Sequence, residues 1–276
     1  MNGFYWLASY PKSGNTWLRI FLQSLIAGGK EVNLNALDLV SSVGSREHFD
    51  RILDIASSDL TDDEIARARP AQYKIESLEA RHPLIRKVHD VWGLTPAGES
   101  LFPSELTLGA VYIVRDPRDV AVSYAHHMSW TVDRTIAFMA NPSAVIAMSK
   151  RRIALQLPQH LSSWSRHVES WLDAPVRLLL IKYEDMLADP VVRFGEVARF
   201  LGIDSTPVAI EAAVNATRFD RLRAVEDKNG FTECMSGADR FFRRGVAGGW
   251  RDTLSSEQVV RIEADHRSMM RKLGYL

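Results

Sequence analysis

Short apolar runs alternate along this chain with segments whose apolar residues recur at helical spacing. The runs lie at 4–8, 84–89, 108–114 and 176–182, and their length and bounding turns predict strands. The last two are almost wholly apolar, as strands covered on both faces of a parallel sheet tend to be. A 3.6-residue period predicts helices over 16–27, 120–128, 158–172, 190–201, 207–215 and 257–273. This alternation predicts an α/β fold, one domain over 1–276 with a central parallel sheet flanked by helices. Ligands of such sheets bind beyond the carboxyl ends of the strands. Residues 225–250 break the pattern. Lys228-Asn229-Gly230, Ser236-Gly237 and Gly245-Val246-Ala247-Gly248-Gly249 predict a flexible loop, and a long loop in a compact domain is most often a lid or binding element.

Composition adds exclusions. Apolar residues make up 46% and charged residues 25% of the 276, so a sizeable core is available. Lys+Arg and Asp+Glu both number 34, which leaves no global basic field for nucleic acid or a membrane surface; any anion site is local. Cys234 is the only cysteine, which excludes a disulfide or cysteine metal cluster and fits a reducing compartment. The opening apolar run is short, follows no basic residue and leads into a lysine loop, so no signal peptide is expected. No apolar stretch reaches the ~18–20 residues of a membrane span. A cytoplasmic enzyme with no membrane or nucleic-acid partner is expected. Oligomeric state is not legible.

Candidate chemistry begins directly after the first strand, at Ser9-Tyr10-Pro11-Lys12-Ser13-Gly14-Asn15-Thr16-Trp17. A lysine, a glycine and two hydroxyls stand on a strand-to-helix turn. Unsatisfied N–H groups and the helix dipole favour an anion there. The loop is not a Walker A loop, because Lys12 precedes Gly14 and no upstream glycine completes the motif. It resembles instead the 5′-phosphosulfate loop of sulfotransferases that use 3′-phosphoadenosine 5′-phosphosulfate (PAPS). The resemblance implies that Lys12, Ser13, Gly14, Asn15 and Thr16 hold the 5′ end of the nucleotide and that Trp17 stacks on adenine.

A second motif, Val114-Arg115-Asp116-Pro117-Arg118-Asp119-Val120-Ala121-Val122-Ser123, follows the third strand. Asp116 suits a helix N-cap and Pro117 the first helical position, and Asp116 and Asp119 are candidate partners of Arg118. The segment resembles the family's 3′-phosphate motif, which assigns Arg115 and Ser123 to that phosphate; a guanidinium presents a planar fork to phosphate oxygens. The family's remaining segments match Tyr183 (in Tyr183-Glu184-Asp185) and Thr217 and Phe219 near the base, and Arg243, Arg244 and Gly245 near the 3′-phosphate. Gly249 replaces the family's aspartate and Arg251 its lysine, with consequences for lid closure. The compact size and opening residues look most like soluble bacterial sulfotransferases, including those that modify glycopeptide antibiotics.

Within Leu84-Ile85-Arg86-Lys87-Val88-His89, strand alternation points Lys87 and His89 one way and Val88 the other. A cation and an imidazole on one face form an acid/base candidate. The family carries Lys-Thr-His here, with the histidine as catalytic base, so the resemblance assigns His89 as base and Lys87 and Lys12 as charge stabilisers. Val88 in place of threonine falls on the opposite face and should matter little. His126 and His127 are rival bases. The implied reaction is sulfuryl transfer from PAPS to a small-molecule hydroxyl without a metal, on an acceptor bound between 34–83 and 128–159. Trp92, Trp130 and Phe138, in or near these stretches, suit an apolar partner or the core. Alternatives are a nucleotide-dependent kinase or NTPase and a non-catalytic nucleotide-binding module.

Overall fold

A computed structural model describes residues 2–148, 153–235, 237 and 239–276. Part of the expected acceptor stretch (149–152) and Ser236 and Ala238 of the expected loop lie outside the described residues. β1 (Phe4–Ser9) turns into α1 (Asn15–Ile26). The short β2 (Val40–Ser42), α2 (Arg46–Leu53) and α3 (Asp62–Glu79) precede β3 (Leu84–Val88), β4 (Thr107–Val114), α4 (Pro117–Met128) and α5 (Val132–Ala140). β5 (Val145–Ile146) and β6 (Gln159–His160) form an antiparallel pair. Then come α6 (Trp164–Leu172), β7 (Leu178–Lys182), α7 (Tyr183–Ala188), α8 (Pro190–Phe200), α9 (Pro207–Ala216), α10 (Phe219–Asn229) and α11 (Ser256–Lys272).

The central parallel sheet has five strands in the order β2-β3-β1-β4-β7. β1 and β2 both run parallel to β3, and Leu7 pairs with Lys87 and Ala8 with Val88. The four strands expected from apolar runs are therefore present, with ends shifted by one or two residues. The chain divides into two compact units. Met1–Tyr10, Val40–Tyr112 and Asn141–Leu179 form the first, and Pro11–Leu39, Ile113–Ala140 and Leu180–Leu276 the second.

In the first unit β1 buries Phe4 and Trp6, stacked at 4.7 Å, against Tyr73 of α3 and Phe102. α3 was not legible as a helix. It buries Arg69, Gln72 and Glu76 along with Ile65 and Tyr73, and it carries Pro70 inside, so its inward face does not read as apolar. Its start is nonetheless well specified by a Thr61–Glu64 capping box. The helix expected over 158–172 begins only at Trp164. Gln159 and His160 pair as β6, and the Ser163 side chain caps α6 by accepting from the Arg166 N–H.

In the second unit Phe21 of α1 stacks on Phe194 of α8 at 4.4 Å. Ile20, Leu34, Leu222, Phe231 and Phe242 form a further buried cluster. The loop expected over 225–250 is corrected at its start, because α10 runs to Asn229. Gly230, at φ 68°, ends that helix in a conformation that favours glycine.

Candidate functional site

The loop between β1 and α1 is built for close approach. Lys12 has φ 68° and Gly14 φ 107°. A Cβ on Gly14 would stand 2.7 Å from Tyr183 Cδ2, so both conformation and space require glycine. Gly14 caps α1 without any side-chain hydrogen bond, and N–H groups at a helix start are suited to an acceptor from outside the helix. Ser13 is buried, and its Oγ finds no partner among the described residues. Asn15 and Thr16 are buried beside it. The Lys12 Nζ lies 3.7 Å from the centroid of the Phe241 ring. Thr16 Oγ1 donates to Glu233 Oε2 at 3.2 Å, and Arg19 Nη1 donates to Glu233 Oε1 at 2.5 Å. Neither Glu233 nor Arg19 was singled out from the sequence, since nothing local to either residue marks the contact.

Three guanidiniums gather in the same unit. Arg115, just past β4, donates to the Lys12 carbonyl at 3.2 Å and the Val246 carbonyl at 3.0 Å, with Cζ 4.2 Å from the Tyr183 ring centroid. Its buried Nε has no partner among the described residues. Burial holds the Arg243 guanidinium below its ordinary range, and the neighbouring Arg244 and Arg115 charges add to that. No carboxylate among the described residues pairs with Arg243. Arg244 reaches Asp252 only at 3.7 Å. Cations that repel one another without a counter-charge are a standing site for an anion. Gly245 follows at φ 63°, and a Cβ there would overlap the Phe219 ring. Ser123 is half-buried on α4.

Asp116 caps α4 and pairs with Arg118 at 2.8 Å, with Pro117 in the first turn, as the sequence predicts. Asp119 does not join Arg118. It accepts the N–H of Gly248 at 2.7 Å and of Trp250 at 2.9 Å, so it holds the turn that contains Gly249. Arg118 instead reaches Glu263 and the Tyr275 carbonyl.

The residues expected around adenine also share the second unit. Trp17 donates its indole N–H to the Thr217 carbonyl at 2.9 Å and meets Phe194 and Tyr183 edge-on at 4.9 and 6.3 Å. Tyr183 is buried beneath Gly14 and Arg115. The Thr217 hydroxyl turns back onto the Ala213 carbonyl at 2.8 Å; its carbonyl, not its hydroxyl, faces Trp17. Phe219 packs on Phe242.

His89 and Lys87 lie in the first unit. The ring of His89 places Nδ1 2.7 Å from the Ser9 carbonyl oxygen. A carbonyl only accepts, so Nδ1 carries the proton and Nε2 is the basic nitrogen. Lys87 is buried, and its carbonyl accepts from Val43 at the sheet end. The rival His126 lies in the second unit. Burial, then Arg243 and Lys12, depress its protonation. His127 stacks on Tyr124 and meets Phe241 edge-on. The rivals are thus among the cofactor-site cations, and His89 is on the other unit's strand end.

Among the described residues no group of three His, Cys, Asp or Glu side chains is placed to hold a metal, and no helix is long and apolar enough to cross a membrane. The start of α1 with its orphaned Ser13 hydroxyl, and the arginine group in which Arg115 meets Asp119 only at 4.0 Å, Arg244 meets Asp252 only at 3.7 Å and Arg243 meets no carboxylate among the described residues, both suit anions. That donor set fits a nucleotide phosphorylated at both 3′ and 5′ positions.

Comparison with known proteins agrees. A family model described as "Sulfotransferase domain" matches residues 4–274. The flavonol 3-sulfotransferase of Flaveria bidentis is 28% identical over 93% of this chain and 78% of its own length. Two solved structures share the fold. Mouse sulfotransferase SULT7A1 complexed with PAP (3′-phosphoadenosine 5′-phosphate) has a TM-score of 0.62 at 20% identity, covering 98% of this chain and 85% of that one. Retinol dehydratase in a complex with retinol and PAP has a TM-score of 0.62 at 21% identity, covering 98% and 82%.

Proposed function

The chain belongs to the sulfotransferase family and is a PAPS-dependent sulfotransferase; we propose that its acceptor is a small molecule carrying a hydroxyl, phenolic in kind. The single observation that carries the cofactor assignment is the Arg115–Arg243–Arg244 cluster, in which Arg243 is depressed by burial and by its neighbours' charge. These three residues, with Ser123 and Gly245, bind the 3′-phosphate. The N–H groups of Ser13, Gly14, Asn15 and Thr16 bind the 5′-phosphate. Trp17, Tyr183, Thr217 and Phe219 flank adenine.

In the reaction the acceptor oxygen forms a bond to sulfur as the bond from sulfur to the 5′-phosphate oxygen breaks, and the electron pair leaves on that phosphate. The acceptor's proton passes to His89 Nε2. Lys12 and Lys87 offset charge on the phosphate and the sulfuryl oxygens. Positioning and fixed charge carry such a transfer, as they do phosphoryl transfer. The acceptor class is supported by the flavonol and retinol named for similar proteins and by the half-exposed Trp130 and Phe138, which meet edge-on at 5.4 Å.

Calorimetric titration tests the cofactor. PAP should bind tightly without magnesium, and Arg243→Ala should weaken it about 10- to 100-fold, the worth of a charge-assisted hydrogen bond. A preference for Mg·ATP, or indifference to Arg243, points to a kinase or NTPase instead. Radiolabelled PAPS with phenols, aliphatic alcohols and amines at matched concentration then ranks the acceptor class; turnover confined to amines would overturn the hydroxyl assignment.

A further inference from the structure

His89 is the first residue beyond β3, so its carbonyl has left the sheet ladder. That carbonyl is nevertheless satisfied. His167 Nε2 of α6 lies 2.9 Å from it, and His167 Nδ1 lies 2.7 Å from the Tyr112 hydroxyl of β4. The His89 oxygen can only accept, so His167 carries its proton on Nε2 and takes the Tyr112 O–H at Nδ1. Both His167 and Tyr112 are fully buried. Burial pushes His167 down to about 4, which keeps it neutral and holds this single donor arrangement.

The flanking groups are tied as well. Asp90 accepts a two-pronged hydrogen bond from Arg69 at 2.9 and 2.7 Å and the His160 N–H at 3.0 Å, and its carbonyl takes the Trp171 indole N–H at 2.9 Å. The Val91 N–H donates to the His160 carbonyl at 2.8 Å. On the ring side, Ser9 holds Nδ1. The backbone of His89 and its ring are therefore each held by a hydrogen bond of its own.

We propose that His167 is a positioning residue for the catalytic base: its Nε2–H, oriented by Tyr112, holds the His89 carbonyl so that the His89 ring presents Nε2 to the acceptor. This rests on the assignment of His89 as base. A neutral buried histidine costs desolvation that an apolar residue in this core would avoid, and the hydrogen bond to His89 is what that cost supports. Because bonds and angles on both sides of the ring are set, a small loosening of the carbonyl translates into misdirection of Nε2.

The test uses the full-length protein with four variants. His89→Ala should lose turnover about 10²- to 10⁴-fold, the usual worth of a general base. His167→Leu should lower kcat about 10- to 100-fold, as misplacement of a reacting group does, while the Kd for PAP stays within about twofold. His167→Gln, whose amide N–H reaches the same carbonyl, should recover most of the loss. Tyr112→Phe, which leaves that donor in place, should retain most activity, and it and His167→Gln carry the test if His167→Leu does not fold. Nitrogen NMR of the ring adds a readout that mere destabilisation does not move. The Ser9 carbonyl stabilises the charged imidazolium through Nδ1–H, so slackening it should shift the His89 titration, and the acidic limb of kcat/KM, to lower pH in His167→Leu. Full turnover in His89→Ala overturns the base assignment and positioning with it. Loss in His89→Ala with unchanged kcat and titration in His167→Leu overturns positioning alone, as does a Gln variant no better than Leu.

Discussion

Glu233 accepts a hydrogen bond from the Thr16 hydroxyl with one carboxylate oxygen and from the Arg19 guanidinium with the other. A hydroxyl that donates to a carboxylate turns only lone pairs toward anything else. The carboxylate also sets a negative charge at the start of α1, the end proposed to hold the 5′-phosphate. The Thr16 hydroxyl must leave Glu233 to serve the nucleotide, so the contact and the ligand compete. Glu233→Gln should tighten PAP binding about three- to tenfold, on the scale of one removed like charge in a partly screened site. It should also lower the melting temperature, because the buried Arg19 loses a charged partner. Calorimetry and thermal unfolding read both effects; weaker PAP binding would show that Glu233 helps to build the site.

Gly14 is held at φ 107° with the Tyr183 ring against it. Gly14→Ala should cost about 1–3 kcal/mol from backbone strain plus the displacement of Tyr183. It should also misdirect the first-turn N–H groups and lower PAP affinity. Denaturant unfolding with calorimetry checks this, and wild-type values for both would show that the loop relaxes.

Asp119 ties the Gly248–Trp250 turn through two backbone N–H groups. Asp119→Ala should free that turn and move Arg243 and Arg244 with it. Hydrogen exchange at 246–250 should rise, and PAP affinity should fall about tenfold, the cost of roughly one charge-assisted bond. Exchange unchanged from wild type would mean that other contacts hold the turn.

Burial pushes both His167 and His266 from 6.5 down to about 4. The unfolded chain binds these protons before the folded one does. Stability is therefore full above pH 6.5, falls as pH drops through the interval to about 4, and levels below it. Each histidine contributes a slope of up to about 1.4 kcal/mol per pH unit. Urea unfolding between pH 4 and 8 should show this fall, and His167→Gln should reduce it by about half, leaving the His266 share.

The four main strands and the two strand-to-helix turns that carry the family's motifs were legible because each is a local pattern. A period of two or of 3.6, a glycine at a turn, and an arginine at a strand end are all written within ten or so residues. Asp116 and Pro117 announced their helix start for the same reason. α3 escaped because its inward face carries Arg69, Gln72 and Glu76, and an apolar count cannot register a buried polar face. The short β2 is three residues long, too few for a period to show.

The contacts that shape the site were decided by tertiary structure. Glu233 meets Thr16 across 217 positions, Asp119 meets Gly248 across 129, and His167 meets His89 across 78. Thr217 carries a hydroxyl suited to a ligand, yet the helix before it claims that hydroxyl. Hydrogen-bond partners are chosen by geometry after the elements pack, and burial then sets the protonation of groups such as His167. The sequence by itself determined the fold class and the family, through strand and helix periods and motifs written in a fixed order along the chain. Only the folded chain decided which of their donors are already engaged, because that depends on distance through space rather than along the backbone.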